Sequence, residues 1–332
     1  MKSSIPQETE NGPEVWPPEP HPQLPPPLVQ AANESNLVML VGAGVSRLVG
    51  CPSWDELADR VLEQLAQRRV IGYGEIQQLA EYDARKKLSI AQIICQTVGN
   101  GASIDFESLL KPKEDSESRI YDYLLAIGCP IVTTNFDRLL DGSIPDPIKL
   151  EDGKYGTGES VARSELICYP SQFYKYLLTK PKCIIHLHGS IDHEDSMVFT
   201  ARHYIEHYDD SRVVGLLQEM FSDYTVLIVG YGLEETELLD HIFRKLHKSG
   251  GRVRARYLLN GFYSHQQQTY RHLKSYYKSS FDVDLIPFPL EVNHYRQLEE
   301  IMKDWSGKLT IGTPLLSDQA RRILRVARGE HA

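Results

Sequence analysis

A chain of 332 residues, 41% of them hydrophobic, can bury a substantial core, as one large α/β domain or two smaller ones, which excludes wholesale disorder. A formal net charge of −9 argues against a nucleic-acid-binding surface spread over the whole molecule. Five widely spaced cysteines (Cys51, Cys95, Cys129, Cys168, Cys183), with no C-x-x-C pair, exclude a four-cysteine zinc ribbon; with no secretory leader and no apolar run near ~18 residues, they read as a reduced cytoplasmic protein that does not enter a membrane.

Residues 1–33 hold nine of the nineteen prolines and almost no apolar pattern, so they are expected to form a flexible, polyproline-like arm in which Trp16 is incidental. Leu37–Val41 is an apolar strand that stops at Gly42-Ala43-Gly44, as a strand covered by helices on both faces does. Removing the Cβ atoms there lets bare N–H groups and a helix N-terminus face a diphosphate, pointing to a dinucleotide; a tight turn without ligand is the competing reading. Arg47 stands where the third glycine of the usual G-x-G-x-x-G fingerprint belongs.

Ser53 and Glu56 have the spacing of a capping box, and Leu57, Val61, Leu62 and Leu65 follow at helical period. Helical patterning continues to Cys129, too long for a simple crossover, so residues from about 50 to 128 read as a helical insertion over the strand ends. Pro130–Thr134 is the next strand, and Asn135-Phe136-Asp137 follows where the chain is expected to turn into a helix. Polar residues there face the ligand crevice of a parallel sheet, or else cap that helix.

Residues 141–180 read as a cover for the site. In Lys182–Asp192, KCIIHLHGSID, Ile184, His186 and His188 share one strand face, and His186, His188 and His193 are either metal ligands or simply hydrogen-bonded; Gly189 is expected to leave the backbone open beside His188. Tyr224–Val229 is a buried strand ending in Gly230, Tyr231 and Gly232, followed by the helical LEETELLDHIFRKL. Arg252, Arg254 and Arg256 alternate as on a solvated strand face or an anion site. Two more strands, ARYLLNG and VDLIPFP, precede a helical tail over 291–332, where Ala320, Ile323, Leu324 and Ala327 share a face suited to assembly.

The turns GAGVS, TTNFD, HLHG and GYG, in this order, resemble the sirtuin-like family, particularly its zinc-free branch of NAD hydrolases in prokaryotic antiviral defence. The resemblance spans roughly residues 35–290. It implies a Rossmann-like doubly wound parallel sheet with an inserted helical subdomain and no zinc ribbon, in a catalytic domain over 34–290. It also implies that NAD is the substrate and that no metal is needed. Gly42, Ala43, Gly44, Ser46 and Thr134 would hold the diphosphate side, Gly230, Tyr231, Gly232 and Asn260 the adenosine side. Asn135 would fix the ribose and water, His188 would act as the base, and Asp137 would orient Asn135 or offset positive charge. GCPSW replaces the loop of protein deacylases, so water is the expected acceptor; a lysine deacylase and an NAD-sensing module are the alternatives. Such an enzyme needs restraint, which implies a homo-oligomer or a partner such as an ATPase or Argonaute-like sensor.

Overall fold

The computed structural model describes residues 16–99, 103–112, 116–141, 166–231, 254–309 and 311. Helix α1 (Pro26–Asn33) leads into strand β1 (Leu37–Val41) and the short α2 (Ala43–Leu48). Four helices follow, α3 (Trp54–Gln67), α4 (Tyr73–Leu79), α5 (Ala84–Val98) and α6 (Phe106–Leu109). Next come α7 (Ile120–Ile127), β2 (Ile131–Thr133), β3 (Ile184–His186), α8 (Ala201–Asp209) and α9 (Ser211–Asp223). The rest comprises β4 (Thr225–Val229), β5 (Arg256–Phe262), α10 (Gln267–Phe281), β6 (Asp284–Pro289) and α11 (Gln297–Leu309).

All six strands are parallel, in the order β3-β2-β1-β4-β5-β6. Strand β1 is therefore central: the chain leaves it outward through β2 and β3, then returns to its other side at β4. The crevice at the carboxyl ends of β1 and β4 is the point where the winding reverses, the place where open parallel sheets bind ligands.

The alternation of β1 explains its helical cover on both faces. Val38 and Leu40 join Val132, Ile185, Leu216, Phe221 and Tyr277 in one core layer. Leu37, Met39 and Val41 join Leu28, Leu124, Ile127, Ile301 and Trp305 in the other. This is the doubly wound sheet expected from the sequence. Helices α3 to α6 build a third cluster of their own, in which Leu57, Val61, Leu62, Leu88 and Phe106 surround Phe136, Met197 and Phe199. That roof begins with the capping box read from the sequence: Glu56 N–H donates to Ser53 Oγ at 3.2 Å, and Ser53 N–H to Glu56 Oε2 at 2.7 Å. Helix α7, expected within the insertion, packs instead against the sheet beside α11, because Ile120, Leu124 and Ile127 form a stripe that the second core layer buries.

Residues 16–33 do not form the flexible arm expected from their prolines. Trp16 stacks on Tyr270 at 5.2 Å, and its Nε1–H donates to Ser264 O at 2.6 Å. Gln297 Nε2 donates to Pro20 O at 2.7 Å and Trp305 Nε1 to Pro22 O at 3.3 Å. A proline-rich strand keeps every carbonyl as an acceptor, and Pro26 occupies the first turn of α1, where its missing N–H costs nothing. Leu28 then anchors α1 in the core.

Among the described residues, which here run to Asp141, no helix follows Asp137 either; Leu139 N–H donates to Asp137 Oδ1 at 3.1 Å in a local turn. Arg256 is no solvated strand residue: it is buried, and its guanidinium donates to Phe281 O and Phe221 O, both at 2.8 Å. Residues 142–165, Gly232, Arg252, LEETELLDHIFRKL and the face of Ala320, Ile323, Leu324 and Ala327 lie outside the described residues.

Candidate active site

The two glycine turns at the crevice are interlocked. Gly42 N–H donates to Val229 O at 2.9 Å and Gly44 N–H to Gly230 O at 2.7 Å. A Cβ on Gly42 would lie 2.6 Å from Tyr231 Cδ2, one on Gly44 2.7 Å from Gly230 O, and one on Gly230 (φ +68°) 2.6 Å from Val45 N. The absence of side chains is thus used first for backbone-to-backbone contact between the ends of β1 and β4. Since the Gly44 N–H is already engaged, it is not among the bare donors that the sequence reading offered to a diphosphate.

Asn135, just past β2, is fixed from behind. Its Nδ2 donates to Gly42 O at 3.1 Å and to Ser46 Oγ at 2.9 Å. Ser46 Oγ also accepts from Tyr121 Oη at 2.9 Å and donates to Asp137 Oδ2 at 2.6 Å. A flipped amide would set Oδ1 against the Gly42 carbonyl, acceptor against acceptor, so this network dictates the orientation. Oδ1 is left buried with no partner in the protein. Burial pushes the Asp137 carboxyl up, against the Ser46 and Leu139 hydrogen bonds that pull it down. The Tyr121 phenol is raised well above its ordinary value, chiefly by burial.

The two histidines of HLHG part ways. His186, in β3, is tied at both ring nitrogens, Nδ1 to Asn135 O at 3.2 Å and Nε2 to Asp141 Oδ2 at 2.9 Å. His188 contacts Tyr208 Oη through Nε2 at 2.6 Å, while its Nδ1 is buried with no partner. Burial holds the His188 pKa well below the ordinary histidine value, with His207 and Arg85 adding to the effect. Gly189 does not leave open backbone beside the imidazole: at φ +88° it packs on the Ser196 carbonyl, which a Cβ would strike. Among the described residues no group of three His, Cys, Asp or Glu is placed to hold a metal ion.

A cleft of about 1030 Å³ runs past these groups, between the strand ends and the roof. Ala43, Gly44, Thr134, His188, Gly230, Tyr231 and Asn260 line it, whereas Gly42, Ser46, Asn135 and Asp137 are not among its lining residues. Ser46, read from the sequence as a diphosphate ligand, faces the Asn135 network instead. The cleft also uses residues that the sequence reading passed over as site residues. Arg47 and Arg85 bring positive charge into it, and Trp54, Phe199 and Tyr204 supply aromatic walls. Arg47 carried a signal, since it replaces a fingerprint glycine. Arg85 and Tyr204 carried none, because they meet only when α5 and α8 pack together, with the guanidinium 4.1 Å from the ring centre.

Comparison with known proteins agrees with the resemblance drawn from the turns. Residues 130–281 match the model of the SIR2-like domain. Over 303 residues the chain is 23% identical to the NAD(+) hydrolase ThsA of Bacillus cereus (strain MSX-D12), an alignment that covers 86% of this chain and 57% of that protein. The chain thus matches a little over half the length of this relative.

Proposed function

We propose that this chain, which carries a SIR2-like domain, hydrolyses NAD to ADP-ribose and nicotinamide, as the NAD-depleting effector of an antiviral defence system. The observation that supports this reading most is the pair of unpartnered buried atoms, Asn135 Oδ1 and His188 Nδ1, at the ends of adjacent strands beside the cleft. Buried polar atoms normally find partners, and a ligand carrying hydroxyls and a water would supply them. The name of the relative points to the same substrate.

In the proposed reaction the C1′–N bond of the nicotinamide riboside breaks, and its electron pair neutralises the pyridinium nitrogen. Nicotinamide leaves without protonation. A water oxygen bonds to C1′ of the cationic, oxocarbenium-like ribose, and its proton passes to His188. Asn135 Oδ1 accepts a hydrogen bond from a ribose hydroxyl or from that water, held in place by Ser46 and Gly42. Arg47 and Arg85 oppose the diphosphate charge, and Gly230, Tyr231 and Asn260 border the adenosine end. His188, kept neutral by burial, is free to accept a proton at neutral pH. Such an activity is restrained until a partner protein or self-assembly relieves it.

The test is chromatographic assay of products from NAD alone, with candidate partners and assembly-promoting conditions included. Nicotinamide and free ADP-ribose should appear in equal amounts, and His188→Ala should lower the rate by about 10²–10⁴-fold while retaining NAD binding. Asn135→Ala should also lose activity, by misplacing ribose and water. Turnover that requires an acyl-lysine peptide would replace this reading with a deacylase, and tight NAD binding without turnover in every condition would replace it with a sensor.

A further inference from the structure

We infer that Tyr208 is a positioning residue for His188, holding the imidazole as the tautomer with its proton on Nε2 and its bare Nδ1 left for the ligand. The catalytic consequence rests on the hydrolase reading above; the tautomer does not.

The ring orientation is fixed by distance. Turning the imidazole over about Cβ–Cγ would put Cε1 near the place of Nε2, 2.6 Å from the Tyr208 oxygen, far inside a carbon–oxygen contact. Nε2 is therefore the nitrogen on Tyr208. That tyrosine comes from α8 and sits in the core layer with Phe173, Leu217 and Phe221, whereas His188 lines the cleft. One nitrogen is thus engaged by the core, and the other, Nδ1, has no protein partner.

Proton placement follows from what is left unpaired. The depressed pKa makes the ring neutral, with one N–H and one lone pair. If Nδ1 carried the proton, a buried N–H would have no acceptor, which is rarer in proteins than an unpaired acceptor. With the proton on Nε2, the N–H is satisfied by Tyr208 Oη, and Nδ1 presents the lone pair that a base needs. Tyr204, edge-on at 5.2 Å, and His207, at 5.8 Å between ring centres, pack around the ring and restrict its rotation.

The experiment combines a tautomer measurement with kinetics on the full chain. In ¹⁵N-histidine-labelled protein, long-range proton–nitrogen correlation spectra, with His188→Gln to assign the signal, should show a protonated Nε2 and a bare Nδ1. Tyr208→Phe keeps the buried ring and removes the hydroxyl; it should give a mixture of tautomers and lower kcat about five- to tenfold with KM unchanged. Combined with His188→Ala it should be no worse than His188→Ala alone. A wild-type Nδ1–H tautomer would overturn the inference, as would Tyr208→Phe with unchanged or raised kcat. Should that variant fail to fold, or should the wild type leave NAD intact, the wild-type tautomer alone decides.

Discussion

Gly230→Ala probes the interlock on which the cleft is built. Gly230 has φ +68°, where an L side chain costs ~1–2 kcal/mol, and the added methyl would lie 2.6 Å from both Val45 N and Val45 Cγ2. Relief requires moving the start of α2 away from β4, which strains the Gly44 N–H to Gly230 O bond of 2.7 Å. Overpacking of this kind adds ~1–3 kcal/mol, so the whole penalty is about 2–5 kcal/mol. Guanidinium unfolding followed by circular dichroism would read it as a lower midpoint at constant slope. Gly74→Ala is the matched control: it lies in α4 with nothing within 4 Å of the added methyl, and should gain ~0.5–1 kcal/mol. If Gly230→Ala falls within about 1 kcal/mol of the wild type, the turns are not locked as described.

Two further predictions concern stability. His207 is held down to about 4 from its ordinary 6.5, chiefly by burial, so between those values the unfolded chain binds a proton that the fold does not. Stability should fall as pH drops through that window, by about 3 kcal/mol in full, and His207→Gln should flatten the slope; an unchanged slope would reassign it to other groups. His188 acts in the same direction, whereas Asp137, with its pKa raised, works the opposite way as pH rises past 3.8. Trp16→Ala removes the stack on Tyr270 and the bond to Ser264 O, and should cost about 1–3 kcal/mol by thermal or chemical unfolding. A melt indistinguishable from the wild type would mean that residues 16–33 are the loose arm suggested by composition.

What the sequence disclosed follows the range of the interactions involved. Strand β1 and the Ser53–Glu56 capping box are local patterns, and each stands where its pattern points. The placement of Asn135 and His188 at the ends of adjacent strands was readable because they sit in short motifs there. Their surroundings were not, because Tyr121, Ser46 and Asp137 meet from positions up to 91 residues apart. The proline-rich segment misled for a related reason: composition reports that it makes no core of its own, but not that Tyr270, Gln297 and Trp305 offer partners for it. Arg256 misled likewise, since alternation along a strand gives the face and not what covers it. Gly42, Gly44 and Gly230 do stand at the strand ends, but they pack on one another's turns.

The alternation of Asn135, Phe136 and Asp137 has a mechanical consequence. Phe136 inserts into the roof cluster, with its ring edge-on to Trp54 at 5.5 Å, while the residues on either side bond to Ser46 on the sheet side. These three residues act as a rivet between the roof and the sheet. A load that shifts the roof by a fraction of an ångström reaches the Asn135 amide through a single peptide unit, with no loop between to absorb it.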